Sequence, residues 1–374
     1  MKLYNTFAQV LILGTLCLTA CKNKVENSNP IKHVNLEVRI LDEEIPISDE
    51  FCDFEIIPLD NRTECMMSDI DKMIVTDSGM YFWDNNGLSQ QVLSFNPDGT
   101  FKCKIGSRGH GRGEYPMINS IAANRKGDTV AVICYPSIYF YDDAGNYLST
   151  WKFEDGAEDM LFTDDKLYLG CFHGQGNSLV TSYSKKLSHV DDIIDTPSGI
   201  KTTFLDVDNG HIIQQDGDNI CCLDALDSKF YVFNNHYPKD MTCYSFNMDN
   251  MRTISDREKD VNEDGTYHIT SYSVYKNVVR GQLDNRNKYY DFKFTLGDNV
   301  VTLMHHSDKS YGFDCNFKGY FYQIVPAYFM LDYIDLKKRH LESMRNLFKD
   351  KLEGFRGKVS MSDNYYIMKM KIRE

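Results

Sequence analysis

Basic charge is short in this 374-residue chain: 41 Lys and Arg stand against 54 Asp and Glu, for a formal net charge of -13. No run of Lys or Arg offsets the deficit, so the phosphates of nucleic acid and anionic lipid headgroups would repel the chain. A nucleic-acid partner is therefore not expected. The chain also lacks HExxH, CxxC and Gly-x-Ser-x-Gly, which removes the usual signals for a zinc hydrolase, a paired-cysteine metal site and a serine nucleophile elbow. Proline is scarce, with nine residues, whereas 24 Tyr and 22 Phe bring the aromatic share to 13%. Tyr and Phe suit a pleated, half-buried surface, so the composition leans toward strands.

The N-terminus reads MKLYNTFAQVLILGTLCLTACKNK. Lys2 supplies a basic head, and the apolar run from Phe7 to Leu18 is too short to span a bilayer comfortably, which suits a signal segment. Leu18-Thr19-Ala20-Cys21 resembles a bacterial lipobox, in which cleavage precedes a lipid-bearing cysteine. The resemblance implies a signal peptide over 1–20, lipid attachment at Cys21 and a polar tether over 21–32. Acyl chains there would add roughly 0.8 kcal/mol of membrane affinity per buried methylene. The later cysteines (52, 65, 103, 134, 171, 221, 222, 243 and 315) follow no regular spacing and are expected to be small buried hydrophobes.

A polar turn followed by a short aromatic or β-branched strand recurs along the chain. It appears as DSGMYFW, RKGDTVAVI, TDDKLYLG, DVDNGHIIQ, NEDGTYHIT and NFKGYFYQI. Marked at Gly79, Gly127, Asp165, Gly210, Gly265 and Gly319, the steps are 48, 38, 45, 55 and 54 residues. Two further hairpins, LSFNPDGTFKCKIG and IYFYDDAGNYLSTW, add strands to the first two units. Six units of three or four short strands at this period indicate an all-β chain, a six-bladed β-propeller of four-stranded antiparallel blades over residues 33–374. The later units are longer, and the charged stretch at 255–265 is expected to be a solvated loop.

Both ends alternate with a period of two: Val34, Leu36, Val38 and Ile40 near the start, and Tyr366, Met368, Met370 and Ile372 at the finish. The expectation is that these two strands share one blade and close the ring, because an open ring would leave two bare edges. Before the last strand, Leu341, Met344, Phe348, Leu352 and Phe355 recur at helical spacing and predict one amphipathic helix over 336–355, packed on the ring.

Residues 105–121, IGSRGHGRGEYPMINSI, concentrate four glycines in eight positions. This stretch, with the YDDAGNY hairpin after it and the FEIIPLD strand before it, resembles the six-bladed β-propeller lipoproteins of Bacteroidetes, relatives of NHL-repeat propellers. The resemblance implies a lipoprotein of the cell envelope, held at the outer membrane through Cys21. This chain departs from the family in having Arg112 where Pro often stands before Gly-Glu-Tyr.

The glycine-rich stretch is not a phosphate loop. Glu114 occupies the position a dinucleotide fingerprint reserves for its third glycine, no Gly-Lys-Ser/Thr follows, and no helix comes after it. It is expected to join the outer strand of one blade to the inner strand of the next. Arg108, His110, Arg112, Glu114 and Tyr115 are the candidate ligand contacts there, near the channel mouth, with Arg108 or Glu114 alternatively tying the blades together. No catalytic residue, metal ligand or cofactor is assigned. The expected function is a monomeric binding module for a protein, peptide or glycan-like ligand. The competing class is a propeller lyase or hydrolase with a channel-mouth site, and a third is a structural subunit exposing a large apolar patch.

Overall fold

The computed structural model describes residues 30–41, 51–87, 90–153, 156–171, 178–195, 211–256, 265–285, 288–306, 314–335 and 349–373. Twenty-five strands dominate them. The first unit is β3 (Ile70–Val75), β4 (Met80–Asp84), β5 (Gln91–Phe95) and β6 (Phe101–Lys104), paired in chain order. The second is β7 (Ser120–Ala123), β8 (Val130–Cys134), β9 (Ser137–Tyr141) and β10 (Tyr147–Lys152). The third is β11 (Asp159–Phe162), β12 (Lys166–Gly170), β13 (Ser178–Ser184) and β14 (His189–Asp195).

The fourth and fifth units run β15 (Ile213–Asp216), β16 (Asn219–Asp224), β17 (Lys229–Asn234), β18 (Met241–Asn247), then β19 (His268–Tyr275), β20 (Val278–Asp284), β21 (Tyr289–Thr295), β22 (Val300–His306). The last holds β23 (Cys315–Phe317), β24 (Tyr320–Val325), β25 (Tyr366–Ile372) and, on its outer edge, β2 (Phe51–Pro58). The first strand of each unit touches the first strand of the next, and β23 touches β3, so the inner strands form a closed circle. This is a β-propeller.

Each sheet is packed on both faces, which explains why MYFWD in β4 and VAVIC in β8 are buried at every position instead of alternating. Between the first two units, Tyr81, Trp83 and Val92 meet Ile121, Val130, Val132 and Tyr141. Between the fourth and fifth, Phe230 stands edge-on to Tyr272, with ring centroids 5.3 Å apart. All nine described cysteines are free thiols and six of them are buried, which agrees with their reading as small apolar side chains.

Two local expectations need correction. The first strand, β1 (Lys32–Leu41), does not share a sheet with β25. It runs parallel to β18, from Lys32 opposite Thr242, and then parallel to β22, ending at Leu41 opposite Met304. The fourth and fifth units thereby merge into one nine-stranded sheet. The alternation was real, since Leu36 is buried between exposed Asn35 and Glu37, but a period of two says nothing about which edge a strand will cover. Closure falls to β2, antiparallel to β25 from Phe51–Ile372 to Pro58–Tyr366.

Two repeat marks were also misplaced. The turn after β15 carries Gly217, and the turn after β19 is Lys276-Asn277, both at positive φ without glycine (49° and 62°). A left-handed turn built from Lys and Asn leaves no glycine for a sequence search to find. Gly265 precedes β19, and Gly210 lies outside the described residues.

The helix expected over 336–355 falls mostly outside the described residues, and another helix precedes it. α1 spans Ala327–Asp335, inserted between β24 and β25, and helical backbone recurs at 349–353. Ala327, Met330, Tyr333, Ile334 and Leu352 pack against Val325 and Tyr366. Leu341, Met344 and Phe348 of the expected stripe lie outside the described residues. So do Cys21 and most of the charged stretch at 255–265.

Candidate functional site

The glycine-rich stretch does join an outer strand, β6, to the next inner strand, β7. Its polar groups are largely spent on itself. The Gly111 N–H donates to Glu114 Oε2 at 2.8 Å, so the Glu114 carboxylate folds back over the loop. The Tyr115 N–H donates to the Ser107 carbonyl at 3.0 Å, and the Gly109 N–H to the Tyr115 carbonyl at 2.9 Å. Arg108 Nε donates to the Pro116 carbonyl at 3.1 Å, and its Nη1 reaches the Gly87 carbonyl in the first unit at 3.4 Å.

Tyr115 is 1% exposed, edge-on to Tyr141 at 6.3 Å, and burial raises its hydroxyl pKa to about 12. Two glycines are needed for packing. At Gly106 (φ 60°) an added Cβ would lie 2.6 Å from the Tyr141 ring, and at Gly113 (φ 77°) 2.7 Å from the Tyr147 ring. His110 and Arg112 are exposed. None of the five candidate residues lines the cavity of the central channel, because the loop enters β7 at Ser120 while that cavity opens past the other end, at Ala123.

That channel is a cavity of about 340 Å³ to which all six inner strands contribute. Its floor is an ionic cluster. Lys72 Nζ, from β3, donates to Asp159 Oδ1 of β11 at 2.6 Å and to Ser120 Oγ of β7 at 3.1 Å. Asp159 Oδ1 also accepts the Met160 N–H at 2.8 Å, and Oδ2 accepts the N–H groups of Ile212 and Ile213 at 2.8 and 3.1 Å. The carboxylate thereby ties together the first, third and fourth units, and Lys72 adds the second through Ser120. The two side chains are 1% and 2% exposed, so each charge depends on the others for its solvation. Beside them the half-buried His211 donates Nε2–H to the Met73 carbonyl at 3.2 Å. Desolvation, with Lys72 adding repulsion, lowers its pKa to about 4, so the ring is neutral at pH 7.

Above the floor Ile74, Val75, Ala123, Leu161 and Cys315 form an apolar belt. The rim is drawn from the ends of the inner strands and their turns: Arg125, Phe162, Gln215, Tyr275, Phe317 and Lys318. Sequence reasoning missed all of them. The signal was positional, since Arg125, Phe317 and Lys318 fall within two residues of a repeat mark, but two marks were misassigned and the alignment that would expose the rest was lost. Among the described residues no group of three His, Cys, Asp or Glu is spaced to hold a metal ion.

A ring of antiparallel sheets around a pocketed channel defines the class, a β-propeller with a ligand-sized central cavity. The chain belongs to a family known as a domain of unknown function, DUF4934, whose match covers residues 32–371. Two solved structures share the fold. One is a Bacteroides fragilis protein inferred to be exported, 13% identical, with a TM-score of 0.68 over 92% of this chain and 100% of that one. The other is a member of the DUF4221 family from Bacteroides vulgatus, 10% identical, with a TM-score of 0.52 over 87% and 98%. No curated protein matches the chain.

Proposed function

We propose that this protein is an exported, lipid-anchored binding module that holds its ligand at the mouth of the central channel. The carrying observation is the contrast within the channel. The ionizable groups at the floor are committed to each other, while the rim above an apolar belt offers aromatic faces, amide oxygens and a guanidinium. The export reading rests on the signal-like N-terminus and Cys21, and the likeness to an exported Bacteroides protein supports it. Attachment would place the protein in the cell envelope.

The lyase or hydrolase reading has one observation in its favour, the meeting of Lys72, Asp159, Ser120 and His211. Yet Asp159 already accepts four hydrogen bonds, and Ser120 is 1% exposed, beyond a substrate's reach.

A photo-crosslinking amino acid placed at Phe317, and separately at Arg112, in cells tests the site. Ligand adducts should form from Phe317 and not from Arg112, and the reverse pattern would move the site to the glycine-rich junction. Metabolic labelling with a clickable fatty acid tests the anchor, and label should vanish in Cys21→Ser.

A further inference from the structure

Building on that reading of the channel mouth, we infer that its ligand is a peptide segment presenting an apolar side chain next to a carboxylate. The channel mouth satisfies only some of its own polar groups. Its carboxylates are already engaged: Asp216 accepts the backbone N–H groups of Lys276 and Asn277, at 3.0 and 2.6 Å, and Asp77 pairs with Lys318. Arg125, exposed on the rim, has no ion pair among the described residues. One cation is left over, and its planar fork suits a carboxylate.

The amides point to the rest of the ligand. Gln214 Nε2 donates to the Tyr272 carbonyl at 2.7 Å, Gln215 Nε2 to the Gly217 carbonyl at 2.8 Å and Asn316 Nδ2 to the Val274 carbonyl at 3.1 Å. Carbonyls only accept, so these partners determine which way each amide faces. The oxygens of Gln214, Gln215 and Asn316 then remain as acceptors with no donor among the described residues. A ligand that displaces water from them must bring N–H or O–H groups in its place.

Peptide N–H groups and sugar hydroxyls both qualify as donors, and the belt below decides between them. Ile74, Val75 and Leu161 offer no hydrogen bond, so a sugar seated there would bury hydroxyls unpaired, at about 1–3 kcal/mol each. An apolar side chain would instead gain by burial, at roughly 25 cal/mol per Å². Phe162, Tyr275 and Phe317 add apolar faces at the rim. A cavity of about 340 Å³ is at the small end of ligand sites and admits a short segment, not a folded surface.

The test uses the full chain in detergent and two pools of synthetic hexapeptides randomised at their last three positions, one with a free terminal carboxylate and one amidated. Bound peptides are read by mass spectrometry, and affinities by fluorescence. Retention of peptides with Leu, Ile, Met or Phe beside a carboxylate is expected. If the carboxylate is the chain terminus, amidation weakens binding at least tenfold; if it is an acidic side chain, both pools enrich Asp or Glu beside the apolar residue. Arg125→Ala should erase either preference with no change in the urea midpoint. Absence of any carboxylate dependence, or retention of an acidic disaccharide such as digalacturonate in place of peptides, overturns the inference. Phe317 adducts without peptide retention would sink this inference alone, whereas loss of both would sink the binding reading beneath it.

Discussion

The glycine-rich junction and the channel mouth lie at opposite ends of the same inner strand, β7, and they use their polar residues in opposite ways. At the junction Glu114, Arg108 and the backbone satisfy one another over a buried Tyr115, so a conspicuous motif ends as a packed seam. At the mouth, residues with no motif at all keep acceptors and a guanidinium unengaged above a saturated floor. Conspicuousness in sequence reported a demanding backbone. Availability for a ligand depended on what each side chain met after folding.

The floor should be the most costly place to disturb. Asp159→Ala removes a buried carboxylate that serves Lys72 and three backbone N–H groups, and should destabilise the protein by about 3–5 kcal/mol in urea denaturation. Replacing both charges, with Lys72→Met and Asp159→Leu, should cost clearly less than the sum of the single changes, because no buried charge is stranded. Additive losses would mean that the pair is not an energetic unit.

The seam should come next. Gly113→Ala forces a Cβ against Tyr147 at positive φ and should cost about 1–3 kcal/mol. His211 then gives a pH signature. Its folded pKa of about 4 lies below the unfolded value near 6.5, so between those values the unfolded chain binds the extra proton. Stability contributed by the neutral ring is complete above pH 6.5 and falls by about 1.4 kcal/mol per pH unit as pH drops toward 4. Comparing urea midpoints at pH 7 and pH 5 in wild type and His211→Gln should show this slope only in wild type.

The smallest effect is expected where the sequence looked most functional. His110→Ala and Arg112→Ala, on exposed positions, should shift stability by no more than about 0.5 kcal/mol and leave ligand retention unchanged. Loss of ligand in either variant would reverse the comparison between the two regions.

Much of the architecture was legible. Gly79, Gly127, Asp165 and Gly319 do sit on the turns after or beside inner strands, and the hairpins around Gly99 and Gly145 fold as read, because turns demanding positive φ advertise themselves through glycine. The fourth and fifth units blurred because their turns use Gly217 and the pair Lys276-Asn277 instead. The junction's role as a connector was also legible. Which end of the channel it borders was not, since the face on which a loop emerges follows from strand direction within the sheet.

By itself the sequence determined the local terms: strand period, turn positions, aromatic faces for stacking sheets, and a strand at FEIIP. Those are properties of a few neighbouring residues and survive without knowledge of the rest of the chain. Tertiary structure decided that β1 would bridge β18 and β22, that β2 would close the ring, and that a cavity would open at the channel. Lys72 reaches Ser120 across 48 positions and Asp159 across 87. Contacts at such separations exist only once the ring is closed, because loop closure must precede them and no local pattern encodes it.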